Sequence, residues 1–193
     1  MKVAKVKLES TCSYRQSRFY ETEKKSQEQP NEFEKRTWRD KCHTNGDGNI
    51  IIPAIQFKNC VMEAAKYANI KIPGQAKATY TKHFRSGFMI TSDIKLPIKK
   101  EDVEGIWQMH PANPGSMSNT RVTKCHPIIP EWKGTVTFHI LDDIITEEVF
   151  AKVLKTAGNF IGIGMFRPAN GGMHGRFRVT DIDWQEVPEA SFN

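Results

Sequence analysis

The chain has 193 residues, with 28 Lys and Arg against 22 Asp and Glu, a net charge of +6 and an isoelectric point near 9.1. That length holds one domain with a substantial core, and the basic excess favours a polyanionic partner. No run reaches the roughly 18 apolar residues of a membrane span, and the start MKVAKVKLES alternates like a strand, so no membrane partner and a cytoplasmic location are expected.

Ala4, Val6 and Leu8 alternate with Lys5 and Lys7, which predicts a half-buried strand with a basic outer face, ending near Ser10. Residues 13–29 carry many charges of both signs and few apolar side chains before Pro30, and together with residues 30–48 they predict an inserted arm or thumb over 13–48. Within it, residues 32–41 predict a short helix bearing Arg36, Trp38, Arg39 and Lys41, and Asn45-Gly46-Asp47-Gly48 is a turn signal leading into a strand at Asn49–Ile52. After Pro53, the residues Phe57, Cys60, Val61, Ala64, Ala65 and Ala68 recur at helical spacing and predict an amphipathic helix.

Ile72-Pro73-Gly74 breaks the chain, and apolar pieces stand beyond it at 88–90 and 94–98. The span 107–130 is rich in Pro, Ser, Asn and Gly and predicts a long loop. Val136, Phe138 and Ile140 alternate with polar neighbours and predict a strand. Thr146 with Glu147 and Glu148 behind it predicts a helix start, Val149, Phe150, Val153, Leu154 and Ala157 its buried stripe, and Gly158 its end. A last strand over 176–184 shifts phase between Val179 and Ile182, which predicts a bulge near Asp181. The whole order predicts one α+β domain over 1–193, ferredoxin-like or RRM-like: a βαββαβ antiparallel sheet with two helices on one face and the other face open to a ligand.

Residues 162–178, GIGMFRPANGGMHGRFR, follow a helix and precede a strand. That reverses the order a dinucleotide fingerprint needs, and no Lys-Ser/Thr comes after it for a P-loop, so a mononucleotide cradle is not expected. Gly162, Gly164, Gly171, Gly172 and Gly175 would let backbone approach phosphates, Arg167, Arg176 and Arg178 would pair with them, and Phe166 would offer a stacking face. The plainer alternative is a glycine-rich turn packed on its own helix. Residues 77–85 interleave Lys77, Lys82 and Arg85 with Tyr80 and Phe84; together with the cluster at Arg36, Trp38, Arg39 and Lys41 they suit a single strand, whose backbone attracts cations and whose bases attract rings. Here the alternative is a solvated face whose rings point into the core.

Cys12, Cys42, Cys60 and Cys125 are scattered, as reduced thiols would be. Cys42-His43 and Cys125-His126 lack zinc-site spacing, and the calcium-loop imitation at Asn45, Asp47 and Asn49 fails at Ile50 and Gln56, so neither a metal nor a cofactor is expected. His174 in the glycine-rich loop, and after it His83, are the candidates if the protein is an endoribonuclease working by acid–base chemistry without metal.

Two segments carry a family resemblance. Ile52-Pro53-Ala54-Ile55-Gln56-Phe57-Lys58 resembles the I-P-x-S-x-x-K-G helix entry of the RAMP superfamily, and residues 162–178 resemble its glycine-rich loop. The RAMP superfamily comprises RRM-like proteins that include the backbone subunits and processing endonucleases of CRISPR systems. Asn59 stands in place of the motif glycine, and the catalytic aspartate of the RNA-cleaving subunits has no match. The chain is also similar to a family encoded in tailed-phage genomes that shares Ile-Pro-Ala/Pro, Phe-Lys-Asn-Cys and Gly-x-Gly-x-Phe-Arg-Pro. The RAMP resemblance implies binding of single-stranded RNA along a basic groove, a phosphate role for Lys58 and side-by-side assembly. The combined expectation is a phage-encoded protein that binds single-stranded RNA or DNA with little sequence preference and forms a homo-oligomer along it. The alternatives are the metal-independent endoribonuclease and a protein-binding inhibitor of a host defence complex.

Overall fold

The computed structural model describes residues 1–75, 77–112 and 120–188. In chain order the first elements are β1 (Lys2–Ser10), β2 (Tyr14–Arg15), α1 (Pro30–Thr37), a 3₁₀ turn (Trp38–Lys41), β3 (Asn49–Ile52), α2 (Ala54–Ala68) and α3 (Thr81–Ser86). Then come β4 (Phe88–Ile90), β5 (Ile94–Lys99), β6 (Glu104–Pro111), β7 (Arg121–Ile129), β8 (Lys133–Ile140), α4 (Glu147–Thr156), a π-helical turn (Ala157–Ile161) and β9 (Phe177–Glu186).

The main sheet has the order β4-β8-β1-β9 with every neighbour antiparallel. Its strands and their linking helices run β1-α2-β4-β8-α4-β9, the ferredoxin-like arrangement that the sequence order predicts. Period-two alternation puts Ala4, Val6, Leu8, Val136, Phe138 and Ile140 on the covered face, all buried. The apolar stripe of α2, Phe57, Cys60, Val61, Ala64 and Ala65, lies on them, as do Phe150, Val153 and Leu154 of α4. Thr146 caps α4 by accepting from the Val149 amide at 3.4 Å. Opposite Lys7 and Leu8, β9 passes from Asp181 to Val179, so Thr180 is the bulged residue, one position from the expected one.

Three findings differ from the sequence reading. The span 107–130 is mostly strand: β6 and β7 form a hairpin in the register Ile106↔His126 and His110↔Val122. Its turn formers gather in residues 113–119, which lie outside the described residues. Gly158 does not stop α4, because the chain runs on through a wide turn closed by the Gly162 amide on Ala157 O at 2.8 Å. Glycine stands at 158 because a Cβ there would sit 2.1 Å from Phe177 O of β9. The third is the arm, whose root belongs to the core.

That root is Tyr14, Arg15 and Gln16, all buried. Tyr14 donates to Gln56 Oε1 at 2.8 Å, and Gln16 donates to Ile51 O at 2.7 Å while accepting from the His43 amide at 2.8 Å. β2 pairs with β7, giving a three-stranded sheet in the order β2-β7-β6, and β3 pairs with β5. Farther along the arm, Pro30 opens α1 and the Glu32 carboxylate accepts from the Gln29 amide at 3.2 Å. Buried Glu34 fixes that helix to β7 by accepting from Lys41 Nζ, from the Cys125 amide at 2.7 Å and from Lys124 Nζ at 3.2 Å. Among the described residues no helix is long and apolar enough to cross a membrane.

Candidate nucleic-acid interface

The polar face of α2 organises the site. Helical spacing places Gln56, Asn59, Glu63, Lys66 and Tyr67 on one outward stripe, away from the buried one. Four shallow hollows join across it. The first, about 300 Å³, lies on α3 between Thr79, Lys82 and Arg85. Arg85 also walls the second, about 230 Å³, with Asn59, Glu63 and Lys66. Asn59 continues into the third, about 290 Å³, which reaches Gly162, Gly164 and Arg167. Glu63 and Lys66 continue into the largest, about 620 Å³, with Tyr67, Phe160 and Arg176. Sharing these walls, the four hollows follow one another from α3 over α2 to the glycine-rich loop.

The loop is held rigidly from within. Gly162, Gly164, Gly171 and Gly175 have φ of 73, 75, 75 and 76°, a region glycine enters without a Cβ penalty. The amides of Ile163, Gly172 and His174 donate to Gly175 O, Arg167 O and Phe166 O, each at 3.0 Å. The Met165 amide donates to Arg15 O at 3.0 Å and the Gly175 amide to Ser13 O at 2.8 Å, so the loop is fastened onto the root of the arm. A Cβ at Gly172 or Gly175 would lie 1.8 Å from Phe166 O or Ile163 O. The glycines thus serve close packing of the loop on itself and on residues 13–15, and these amides are committed internally instead of facing a phosphate.

Of the loop arginines, Arg167 pairs with Glu63 at 2.8 Å, and Arg176 donates to Asn159 O at 3.1 Å on the wall of the hollow shared with Tyr67 and Phe160. Arg178 turns to Glu9 instead. Phe166 has φ +53°, a strained value for a side chain of its size. Its ring packs inward, with the Arg15 guanidinium 5.2 Å from its centre and His110 and His126 at 6.0 and 6.1 Å.

The second cluster divides by side-chain type. Lys77, Lys82 and Arg85 are exposed, and the last two line the groove. Tyr80 and Phe84 are buried, Phe84 against Phe88 and Phe150, and offer no face to a base. The third cluster is an anchor and lines none of the four hollows: Trp38 is buried with Arg39 4.2 Å above its ring, Arg36 binds Glu28 at 2.8 Å, and Lys41 is buried on Glu34. Lys58 also lies apart. Its Nζ donates to Phe88 O at 3.2 Å and sits 5.5 Å from that ring's centre, fastening the opposite flank of α2 to β4.

The open face of the main sheet is charge-balanced. Lys5 and Lys7 lie opposite Asp183 and Asp181 on β9, and Lys7 pairs with Asp181 at 3.0 Å. A separate hollow of about 630 Å³ has Glu9 and Glu131 beside Lys133 and Arg178, an even balance that does not attract a polyanion. Neither surface matches the α2 groove.

His174 Nδ1 shares a 2.7 Å hydrogen bond with Ser13 Oγ, and burial together with nearby Arg15 holds its pKa below the ordinary value. Burial, with the charges of Lys41 and His110, pushes His126 down to about 4. His83 donates its Nδ1–H to Asp142 at 2.6 Å, and its Nε2 is buried. Burial pushes the thiols of Cys42 and Cys125 up to about 11 and that of Cys60 to about 12, so these three pack as small apolar groups.

The sequence reading did not count Asn59, Glu63, Lys66, Tyr67 or Phe160 among the binding residues. The first four could have been found as the polar stripe complementary to the apolar one of α2. Phe160 could not, since α-helical spacing continued from Val153 and Ala157 places it on the buried side; the extra residue in the wide turn rotates it out to 53% exposure.

No protein-family model matches the chain, and no curated protein matches it in sequence. Among solved structures it is similar to a chain of the Type III-B Cmr-beta bound to cognate target RNA, determined by cryo-electron microscopy. The TM-score is 0.53 at 14% identity, and the match covers 95% of this chain and 60% of that one. At that identity the likeness is one of fold, and this chain spans about 60% of its neighbour's length.

Proposed function

We propose that the protein binds single-stranded RNA or DNA along the groove over α2, gripping phosphates with little regard to base sequence, and that copies assemble side by side on the strand. One observation carries the reading: side chains from three separate parts of the chain, Lys82 and Arg85 of α3, Lys66 of α2 and Arg176 near the end of the loop, line neighbouring hollows that share walls and that we read as one groove. Among the described residues the only carboxylate lining its four hollows is Glu63, which Arg167 neutralises. Likeness in fold to a chain of an assembly bound to target RNA supports the same reading, and the phage origin rests on the shared sequence motifs.

The test is a salt titration of binding to fluorescein-labelled oligo(U) and oligo(dT), read by anisotropy. Four cations meeting four phosphates give a slope of about −3 in log K against log salt, so affinity should fall about 50-fold between 50 and 200 mM salt. Affinity flat across that range overturns the reading. Intact oligonucleotide after incubation in EDTA separates binding from endoribonuclease activity.

A further inference from the structure

We infer that Tyr67 and Phe160 form a nucleobase-stacking platform at the loop end of the groove, with Lys66 and Arg176 placed to hold the phosphates on either side. This deepens the proposed function and rests on it. The two rings are stacked on each other, centres 5.6 Å apart and planes 21° apart, although each is more than half exposed, at 63% and 53%. Exposed rings on a soluble protein are ordinary when single; a preformed stacked pair from two elements, opening onto a hollow of about 620 Å³, is a built feature. That volume is of the order that takes a small ligand.

The wide turn after α4 is what creates it. Gly162 closes that turn on Ala157 O, the extra residue swings Phe160 out, and Tyr67 on the last turn of α2 meets it. Wide turns of this kind recur at functional sites because they misalign a helix face on purpose. The surroundings select the occupant. An apolar side chain from a second copy would bring nothing to the cations around the rings, whereas a nucleotide presents a π-face to the rings and phosphates to Lys66 and Arg176. Every base has that face, which fits recognition without sequence preference. The platform also supplies the stacking surface that buried Tyr80, Phe84 and Trp38 and inward-packed Phe166 do not.

Two measurements test it. Oligonucleotides carrying 5-iodouracil or 5-iodo-deoxyuracil are photocrosslinked to the wild-type protein and the adducts mapped by mass spectrometry; adducts on Tyr67 or Phe160 are expected. The double variant Tyr67→Ala/Phe160→Ala should bind oligo(U) or oligo(dT) about tenfold or more weakly, with the salt slope unchanged because no cation is removed, and Tyr67→Trp/Phe160→Trp should restore binding. The uridine and deoxyuridine arms separate RNA from DNA as the source of the base. If the wild type binds and shows its salt slope but the adducts lie elsewhere and the double variant keeps full affinity, the platform is overturned while the groove stands. Loss of self-association in sedimentation at unchanged oligonucleotide affinity assigns the rings to a second copy and also overturns it. A wild type that binds no oligonucleotide overturns both readings.

Discussion

Gly175 and Gly171 share nearly the same backbone, φ +76 and +75°, yet sit in opposite surroundings. A Cβ at 175 would meet Ile163 O at 1.8 Å, whereas a Cβ at 171 would meet no described atom within 4 Å. Gly171→Ala is therefore expected to cost about 1 kcal/mol from the backbone alone. Gly175→Ala adds overpacking against backbone and should cost roughly 3 kcal/mol or more. Urea denaturation of the two variants measures the difference, and equal losses would show that the loop is not packed as described. His126 gives a pH dependence of definite sign. Its folded pKa of about 4 lies below the ordinary histidine value near 6.5, so the unfolded chain binds the proton more readily. Stability should be level above about pH 6.5 and decline as pH falls through 4, with His43 and His174, both shifted down by burial, acting in the same direction. Denaturant midpoints between pH 7.5 and 4.5 should follow that course, and His126→Phe should flatten it.

Between elements, the decisive contact is the one that ties α1 to β7. Burial pushes the Glu34 carboxyl up, but Lys41, the Cys125 amide and Lys124 together hold it below its ordinary value, so it is ionised at neutral pH. Lys41→Met leaves that charge buried without its main partner and should cost about 3–5 kcal/mol, whereas Glu34→Gln/Lys41→Met should recover most of the loss. Thermal or chemical unfolding of the single and double variants decides it, and a double variant as unstable as the single would show that Cys125 and Lys124 dominate. The same level explains what could be read beforehand. α2 and α4 were legible because their apolar stripes coincide with their buried faces, and the bulge in β9 because alternation changes phase across it. The β6–β7 pairing was hidden by the turn formers in the sequence 113–119, which colour the composition of the whole span. Aromatic residues interleaved with base did not mark an interface either: at 80 and 84, one helical turn apart, the rings face the core, and the cations that face solvent are Lys82 between them and Arg85 after them. The glycine-rich segment stands out in the sequence, but its glycines fit the packed-turn alternative, and which partner a close backbone approach serves is settled by tertiary contacts.

For the molecule as a whole, the groove predicts which surface charges matter. Lys82→Glu with Arg85→Glu reverses two of the four cations and should weaken oligonucleotide binding at least about 30-fold at 100 mM salt while reducing the salt slope by about half. Lys58→Ala should leave binding within about twofold, since that lysine fastens α2 to Phe88 outside the groove, and should lower the melting temperature instead. Anisotropy and thermal melts on the same preparations check both, and strong binding loss from Lys58→Ala with an unchanged melt would relocate the interface to the other flank of α2. β9 bears on assembly. It is the outermost strand of the main sheet, and along it stand the Thr180 bulge and the exposed carboxylates Asp181, Asp183 and Glu186. A bend and charged side chains on a border strand work against pairing with a second border strand. Copies arrayed on a polynucleotide would therefore meet through side chains and not merge into a common ladder, so the array would come apart into intact monomers once a nuclease digests its template.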